Sequence, residues 1–553
     1  MKIKCTWLIV FVGCYFTVFT QNTVGTLSYD FSQTQPGYNL IYPHNQSTAY
    51  LLNNCGQIIH TWEDESINRP GNSVYLMNNG DLIRAKKDDQ IPIEPIFAGG
   101  AGGIIESVSW ENEFNWSYSL NTNLARLHHD IAVLPNGNVL MIAWELKSGE
   151  EAIHAGRNPT KLAQEKLWPD QILEYDPIQD SIIWQWHAWD HLIQDLDTSK
   201  ENFGSVVDHP ELIDLNWDTH DGHPDWMHVN AIDYNPVLDQ ILLSVPYFNE
   251  IWIIDHSTTT EEAASHTGGQ WGRGGDLLFR WGNPMAYKNG NTSDQQLFFQ
   301  HDSEWVRPEA IPGDADFGRI SLFNNRVTED QSTANILTTT PNLTDFYYPS
   351  SDILAYLPES FSRIISHPDN NPIAYSSGLS SVQQLENGNV LILAGRFGYA
   401  YEVNNSDEIV WEYRVPLLSG NPAGQGTELT ANQNLTFRMD RYNLSHPAFE
   451  GKDLTPQNFL ELNADPMICE VATSTLDIVA EKALIYPNPV TDYFQLSASL
   501  EDMDDIFIYN SMGKLVMNRK LSEQLINVES LPAGTYFVKI SGKMEYFSKF
   551  IKL

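Results

Sequence analysis

The chain has 553 residues, with 71 Asp+Glu against 32 Lys+Arg and a formal net charge of −39. That balance argues against nucleic-acid backbones and polyphosphates as partners, because there is no basic stripe to receive them, although one local cationic pocket can still hold a small anion. Hydrophobic residues at 42% and aromatic residues at 12% are a core-forming composition, and 35 Gly with 29 Pro point to β-structure joined by many turns.

Lys2 and Lys4 precede an apolar run from Trp7 to Phe19, which gives way to Gln21 and Asn22. A charged start and an apolar core too short to span a bilayer predict a secretory signal peptide over residues 1–22. No later stretch reaches about 18 uninterrupted apolar residues, so no membrane span is expected downstream. Cys5 and Cys14 leave with the signal, and Cys55 and Cys469 remain. In an oxidising compartment these two predict one disulfide, two unrelated buried thiols being the alternative. It would close a loop of about 415 residues, for which chain entropy gives at most about 5 kcal/mol.

An apolar pair, an Asn-Gly or Asp turn and a β-branched strand then recur. The pattern is Val74-Tyr-Leu-Met-Asn-Asn-Gly80-Asp-Leu-Ile83, again from Ile131 through Gly137 to Leu140, from Asn230 to Leu243, and from Ser381 through Gly388 to Leu391, with a degenerate copy at Gly318 to Phe323. Asn-Gly between alternating apolar runs is a strong hairpin signal. An outer strand ending in Trp tends to follow: Gln57–Trp62, Ser181–Trp186, Asp276–Trp281 and Glu408–Trp411. A hairpin plus a Trp-ended strand, repeated five or six times, predicts the blades of a β-propeller rather than an array of β-sandwiches.

The charge balance changes near residue 484, with 25 Lys+Arg and 63 Asp+Glu before it and 7 and 8 after it. The tail runs through Tyr486-Pro-Asn-Pro-Val490, Ile506-Phe-Ile-Tyr-Asn510 and Leu531-Pro-Ala-Gly-Thr-Tyr-Phe-Val-Lys539. Short strands split by turns predict a β-sandwich of about 70 residues. Motif by motif the tail resembles the C-terminal sorting domain of Bacteroidetes type IX secretion substrates. The resemblance implies export through that machinery, a secreted or cell-surface location, and removal of the domain there.

Nine of the 16 histidines fall between His187 and His301. Three positions place a histidine among polar residues just before an inner strand: His128-His129-Asp130, His228-Val-Asn230 and Gln300-His301-Asp302. In a propeller such segments approach the axis, so the three are expected to converge, with Asp130 and Asp302 as candidates to fix tautomers.

Over roughly residues 37–450 the chain resembles the arylsulfotransferases that work without the nucleotide sulfate donor. The match lies in Leu127-His-His-Asp-Ile131, Asp225-Trp-Met-His-Val-Asn230, Gly275-Asp-Leu-Leu-Phe-Arg-Trp-Gly-Asn-Pro284, Phe299-Gln-His-Asp302 and Leu322-Phe-Asn-Asn325. The resemblance implies a six-bladed β-propeller, here over residues 26–475, ahead of the β-sandwich at 484–553. It implies sulfuryl transfer from a phenolic sulfate ester to a phenol through a sulfated histidine. His301 would be the nucleophile, His129 and His228 its flanking catalytic groups, and Asn230 and His128 contacts to substrate, with no cofactor or metal. The family places an Arg near Ser244-Val-Pro246, where this chain has Pro. Arg396, or Arg126 beside the His-His pair, is the expected replacement cation.

Alternatives stay open on sequence alone. His220-Asp-Gly-His223-Pro-Asp225-Trp-Met-His228 offers zinc ligand types at short spacing. A non-catalytic propeller that binds sulfated or phenolic ligands, or an aryl-sulfate hydrolase, would fit the same residues. The acidic chain is expected to raise histidine pKa values, so activity carried by a neutral imidazole should climb through roughly pH 6–8.

Overall fold

Gly80, Gly137 and Gly388 have φ of 91°, 91° and 88°, a left-handed backbone that glycine adopts without steric cost, so each Asn-Gly reverses the chain in the same way. The strands on either side pair as hairpins. The computed structural model describes residues 22–64, 66, 68–88, 96–350, 356–465, 485–496, 503–510, 514–520, 524–542 and 546–553. It divides into two all-β units, Met1–Asp465 and Pro466–Leu553. The expected signal at residues 1–22 lies outside the described residues save Asn22, and Cys469, the expected partner of Cys55, lies outside them too.

Among the described residues the larger unit holds six antiparallel sheets of four or five strands, named here from the inner strand outward. The first is Met439–Tyr442, Tyr38–Ile41, Ala49–Asn53 and Ile58–Trp62; the second is Pro70–Leu76, Leu82–Lys87, Gly103–Val108 and Phe114–Ser119. The third is Ala125–Val133, Val139–Glu145, Asp170–Asp176 and Ser181–His187; the fourth is Ala231–Asn235, Gln240–Val245, Glu250–Asp255 and Phe279–Trp281. The fifth is His301–Trp305, Arg319–Asn324, Thr333–Thr338 and Arg363–Ile365. The sixth is Ser381–Gln384, Val390–Ala394, Tyr399–Val403 and Ile409–Arg414, with Gly25–Tyr29 on its outer edge. The recurring hairpins are thus the first two strands of a sheet, and the Trp-ended segments are fourth strands whose Trp62, Trp186 and Trp411 are fully buried.

Inner strands of consecutive sheets pack together from the second to the sixth, and Ser381–Gln384 of the sixth packs on Met439–Tyr442 of the first. Polar side chains tie neighbours across these seams. Asp130 accepts from the Ile232 N–H at 3.4 Å, Asp233 from Trp305 at 2.7 Å, Asp302 from Val382 at 2.7 Å, Ser381 Oγ from Met439 at 3.1 Å, and Tyr442 Oη from Leu76 at 3.0 Å. The first sheet borrows its inner strand from the C-terminal end of the unit and the sixth its outer strand from the N-terminal end. Strand exchange therefore joins the start of the larger unit to its finish.

At the centre, buried Arg438 reaches Asp130 at 2.9 Å, Asp302 at 2.7 Å and Glu304 at 2.7 Å, and donates to Tyr75 Oη. Asp130 and Asp302 therefore belong to this ion cluster and do not orient histidines, contrary to expectation.

In the smaller unit, Ile485–Tyr486, Tyr493–Leu496 and Leu525–Asn527 form one sheet; Leu515–Lys520, Met503–Asn510, Gly534–Gly542 and Tyr546–Lys552 form a second. Phe494, Leu496 and Ile526 of the first share a buried core with Ile506, Ile508, Val538 and Phe550 of the second. Among the described residues no helix is long and apolar enough to cross a membrane.

Candidate active site

His301 opens the inner strand of the fifth sheet, His228 stands three residues before that of the fourth, and His129 sits in the middle of Ala125–Val133. His129 and His228 have φ of 54° and 59°, and Asp302, next to His301, has φ of 58°. Left-handed backbone at non-glycine residues costs about 1–3 kcal/mol each and persists where surrounding structure imposes it. The third and fifth sheets also carry a register irregularity beside His129 and His301, the device that re-aims a side chain out of a ladder. The result is convergence. The rings of His129 and His228 lie 4.5 Å apart at 75°, and Phe299 bridges to His301, its ring 6.2 Å from His228 and 5.9 Å from His301.

Every Nδ1 in the trio has a protein partner. His301 Nδ1 lies 2.8 Å from Asn325 Oδ1. Both amide hydrogens of Asn325 are committed to the carbonyls of Ser376 (2.8 Å) and Leu379 (3.0 Å), so its oxygen must face the imidazole as acceptor. His301 therefore carries its proton on Nδ1 and a lone pair on Nε2. Burial pushes its pKa down to about 3, so the ring is neutral over the physiological range. The expectation that overall acidity raises it fails, because desolvation outweighs the distant charge.

His228 Nδ1 lies 2.5 Å from Asp225 Oδ2, whose other oxygen accepts from Trp144 Nε1 at 3.0 Å. Burial alone would lower the His228 pKa, but the Asp225 carboxylate outweighs it and the net shift is upward. His129 Nδ1 meets His128 Nδ1 at 2.8 Å, and His128 Nε2 meets Asp170 Oδ1 at 2.7 Å, a continuous buried chain backed by Trp144 stacked on His128 at 3.8 Å. Burial drives His128 and His129 well below the ordinary histidine value and Asp170 well above the ordinary carboxyl value.

Glycines make room for the trio. A Cβ on Gly100 would lie 2.0 Å from His129 Nε2, and one on Gly99 would lie 3.7 Å from His228 Cε1. Arg126 does not join the site. It is fully buried, with Nε and Nη2 on the Gly102 carbonyl and Nη1 on Ile96, and so buttresses the Gly99-Gly100 turn from behind. His128 likewise acts on His129, with Nδ1 turned to the His129 ring and Nε2 close against Asp170. Asn230 donates to the Gln300 carbonyl at 2.9 Å, which ties the fourth sheet to the segment carrying His301.

Arg396 does come to the site. A Cβ on Gly378 would stand 3.3 Å from Arg396 Nη2 and 3.8 Å from His301 Cε1, so guanidinium and imidazole border the same small space. Its Nη1 donates to Asn432 at 2.8 Å, while Nε is buried without a hydrogen-bond partner among the described residues. Pro246, at the position where an Arg was expected, lines a cleft of about 400 Å³ with Tyr247, Phe298, Phe299 and Arg326. The Arg326 guanidinium lies 3.6 Å from the Phe299 ring centroid and brings a positive charge to the lining of that cleft from the next sheet. Sequence reasoning missed Arg326, Asp170 and the role of Asn325. Asn325 stood in a quoted motif, while Asp170 and Arg326 reach the site only through the tertiary fold.

The zinc set suggested by sequence does not assemble. Asp225 turns to His228, and the His223 ring accepts from the Asp225 backbone N–H at 3.2 Å.

Comparison with known proteins comes from three directions. No curated protein matches the chain. Solved structures resemble it weakly. A protein of unknown function from Bacteroides caccae has 12% identity over 68% of this chain and 94% of its own, TM-score 0.36. A streptogramin B lyase has 10% identity over 77% and 96%, TM-score 0.33, and virginiamycin B lyase from Staphylococcus aureus 10% over 72% and 91%, TM-score 0.30. Likeness at that level carries no argument. Family models are decisive. Residues 484–552 match the secretion system C-terminal sorting domain, which marks the chain for type IX secretion to the cell surface or the extracellular space. Residues 43–419, where all three histidines lie, match the arylsulfotransferase (ASST) model. The chain belongs to the arylsulfotransferase family.

Proposed function

We propose that the protein moves a sulfuryl group from a phenolic sulfate ester to a phenol through a sulfohistidine at His301, in a six-bladed β-propeller formed by its six sheets. The observation that carries this reading is the Asn325 clamp, which leaves a neutral His301 with an Nε2 lone pair. In the first step that lone pair bonds to sulfur while the bond from sulfur to the arene oxygen breaks. The departing phenolate takes the Nε2 proton of cationic His228. In the second step the acceptor phenol returns a proton to His228, its oxygen attacks sulfur, and the S–N bond breaks to restore His301. Two modest barriers replace one hard displacement, and proton transfer by a positioned group is typically worth 10²–10⁴-fold.

His129 serves as a donor. Burial favours the neutral forms of Asp170, His128 and His129; in those forms a proton on Asp170 facing His128 Nε2 leaves His128 to donate from Nδ1 to His129 Nδ1, and His129 Nε2–H to face a sulfuryl oxygen. Arg396 and Arg326 add positive charge near the same oxygens, where such help counts most in a desolvated site. The aromatic wall of Tyr247 and Phe299 suits the arene of the donor.

Intact-mass measurement after brief exposure to a chromogenic aryl sulfate tests the scheme. One added sulfuryl group is expected, lost in His301→Ala, with sustained colour only when phenol is supplied. Colour sustained by water alone would make the protein a hydrolase. Absence of both colour and adduct would leave a binding module.

A further inference from the structure

The motif Gly275-Asp-Leu-Leu-Phe-Arg-Trp281 contributes nothing to the site described above, and two histidines of the 187–301 concentration stand beside its acidic residue. His191 follows the outer strand of the third sheet, His266 lies after the short helix Thr260–Ala263, and Asp276 precedes the outer strand of the fourth. His191 Nδ1 lies 2.8 Å and His266 Nδ1 2.7 Å from Asp276 Oδ1, and the three ligand atoms fall within 4.8 Å of one another.

The hydrogen bonds give that convergence a direction. His191 Nε2 lies 2.8 Å from the Ala263 carbonyl, which can only accept, so in the neutral ring the proton sits on Nε2 and Nδ1 is a lone pair. This lone pair points at a carboxylate oxygen, and the second imidazole is aimed at that same oxygen. A backbone carbonyl that fixes the tautomer of a buried histidine is the usual second layer of a metal-binding imidazole. The pocket around His191 is built for it. Trp186 stacks parallel to the ring at 5.7 Å and donates to the Gly275 carbonyl at 2.7 Å. A Cβ on Gly275 would strike His191 Nε2 at 2.5 Å, so glycine is required there. The His266 side chain is 59% exposed, which leaves a path from solvent and room for a water ligand.

We propose that His191, His266 and Asp276 bind one Zn²⁺-class transition-metal ion, which clasps the third sheet to the fourth at their outer edges. Two imidazoles with one carboxylate select such an ion over Ca²⁺ or Mg²⁺, which take all-oxygen shells. Bond lengths of about 2.0–2.2 Å to nitrogen and oxygen require the ligand atoms to part by roughly half an ångström, a movement the exposed His266 can supply. The net charge of −39 enriches cations near the surface. The site stands apart from the catalytic histidines, and its truth does not depend on the reaction they perform.

The test is titration of untagged, chelator-stripped full chain with ZnCl₂ by calorimetry, with metal analysis after dialysis and Co²⁺ as a spectroscopic probe. One equivalent is expected to bind, to raise the thermal midpoint, and to give the absorption of tetrahedral Co²⁺. His266→Ala should weaken binding at least about tenfold and abolish the midpoint shift. That side chain is exposed, so the variant should fold; His223→Ala, the control from the other histidine cluster, should bind as wild type. Failure to retain one equivalent, unaltered binding in His266→Ala, or loss of binding in His223→Ala would each overturn the proposal.

Discussion

Asn325 touches neither sulfur nor oxygen in the proposed reaction, yet it decides which nitrogen of His301 is nucleophilic. Asn325→Ala should lower kcat about 10–100-fold with little change in KM, because substrate still fits while the tautomer is no longer imposed. Arg396→Ala should cost about 10²–10³-fold in kcat if its guanidinium steadies the transferring group, and wild-type turnover of an aryl sulfate would remove Arg396 from the scheme. The pH dependence follows from two opposite shifts. His301, with a pKa of about 3, stays nucleophilic throughout the usual range. His228 is shifted upward, so its proton is fully present below the ordinary histidine value and is lost as pH rises through the raised one. Donor cleavage should therefore be level from about pH 5 to 6.5 and decline at higher pH. A rise between pH 6 and 8, the outcome suggested by overall charge, would contradict the assignment of His228.

At the scale of elements, the Gly99-Gly100 turn is the tightest constraint on the site. Gly100→Ala places a methyl 2.0 Å from His129 Nε2, at a residue with φ of 79°, and should abolish turnover while stability falls by about 1–3 kcal/mol. Activity measured beside a denaturation curve separates the two effects. The repeated hairpins were legible because Asn-Gly turns and period-two alternation are local, and their offset brought a histidine onto or just ahead of three inner strands, although His129 proves to lie inside its strand rather than before it. The fourth strands of the first, third, fourth and sixth sheets were legible because each carries a Trp that the sheet must bury, although two of them run on past it to His187 and Arg414. Contacts made across sheets were not legible. Asp170 is 41 residues from His129, Arg326 is 25 from His301, and the register of inner strands sends Asp130 and Asp302 to Arg438. The exchanged end strands were equally hidden, since Met439–Tyr442 and Gly25–Tyr29 carry no turn signal and pair with partners about 400 residues away.

For the molecule as a whole, the central acid cluster has more carboxyls than cations. Burial raises the Asp302 pKa to about 6 and those of Asp233 and Asp440 to about 7, against an ordinary value near 3.8. The folded state thus holds protons that the unfolded chain releases, so this contribution to stability is full below about pH 4 and declines until about pH 7. Asp440→Asn removes one such charge and should raise the melting temperature by about 2–4 °C at pH 8, by distinctly less at pH 5, and not at all below about pH 4; equal shifts at pH 8 and pH 5 would contradict the linkage. Long-range repulsion between an anionic donor and this acidic chain should also lower KM as ionic strength rises from about 10 to 150 mM, where the screening length shrinks to about 8 Å.

Strand exchange sets a timetable for the polypeptide. Arg438, the counter-charge at the centre, arrives one residue before the strand that fills the inner place of the first sheet. A product ending before Arg438 leaves Asp130, Asp302 and Glu304 without their counter-charge and leaves the Tyr38–Ile41 strand without its inner partner. The last inner strand is thus the one that both neutralises the centre and closes the exchange between the two ends of the unit.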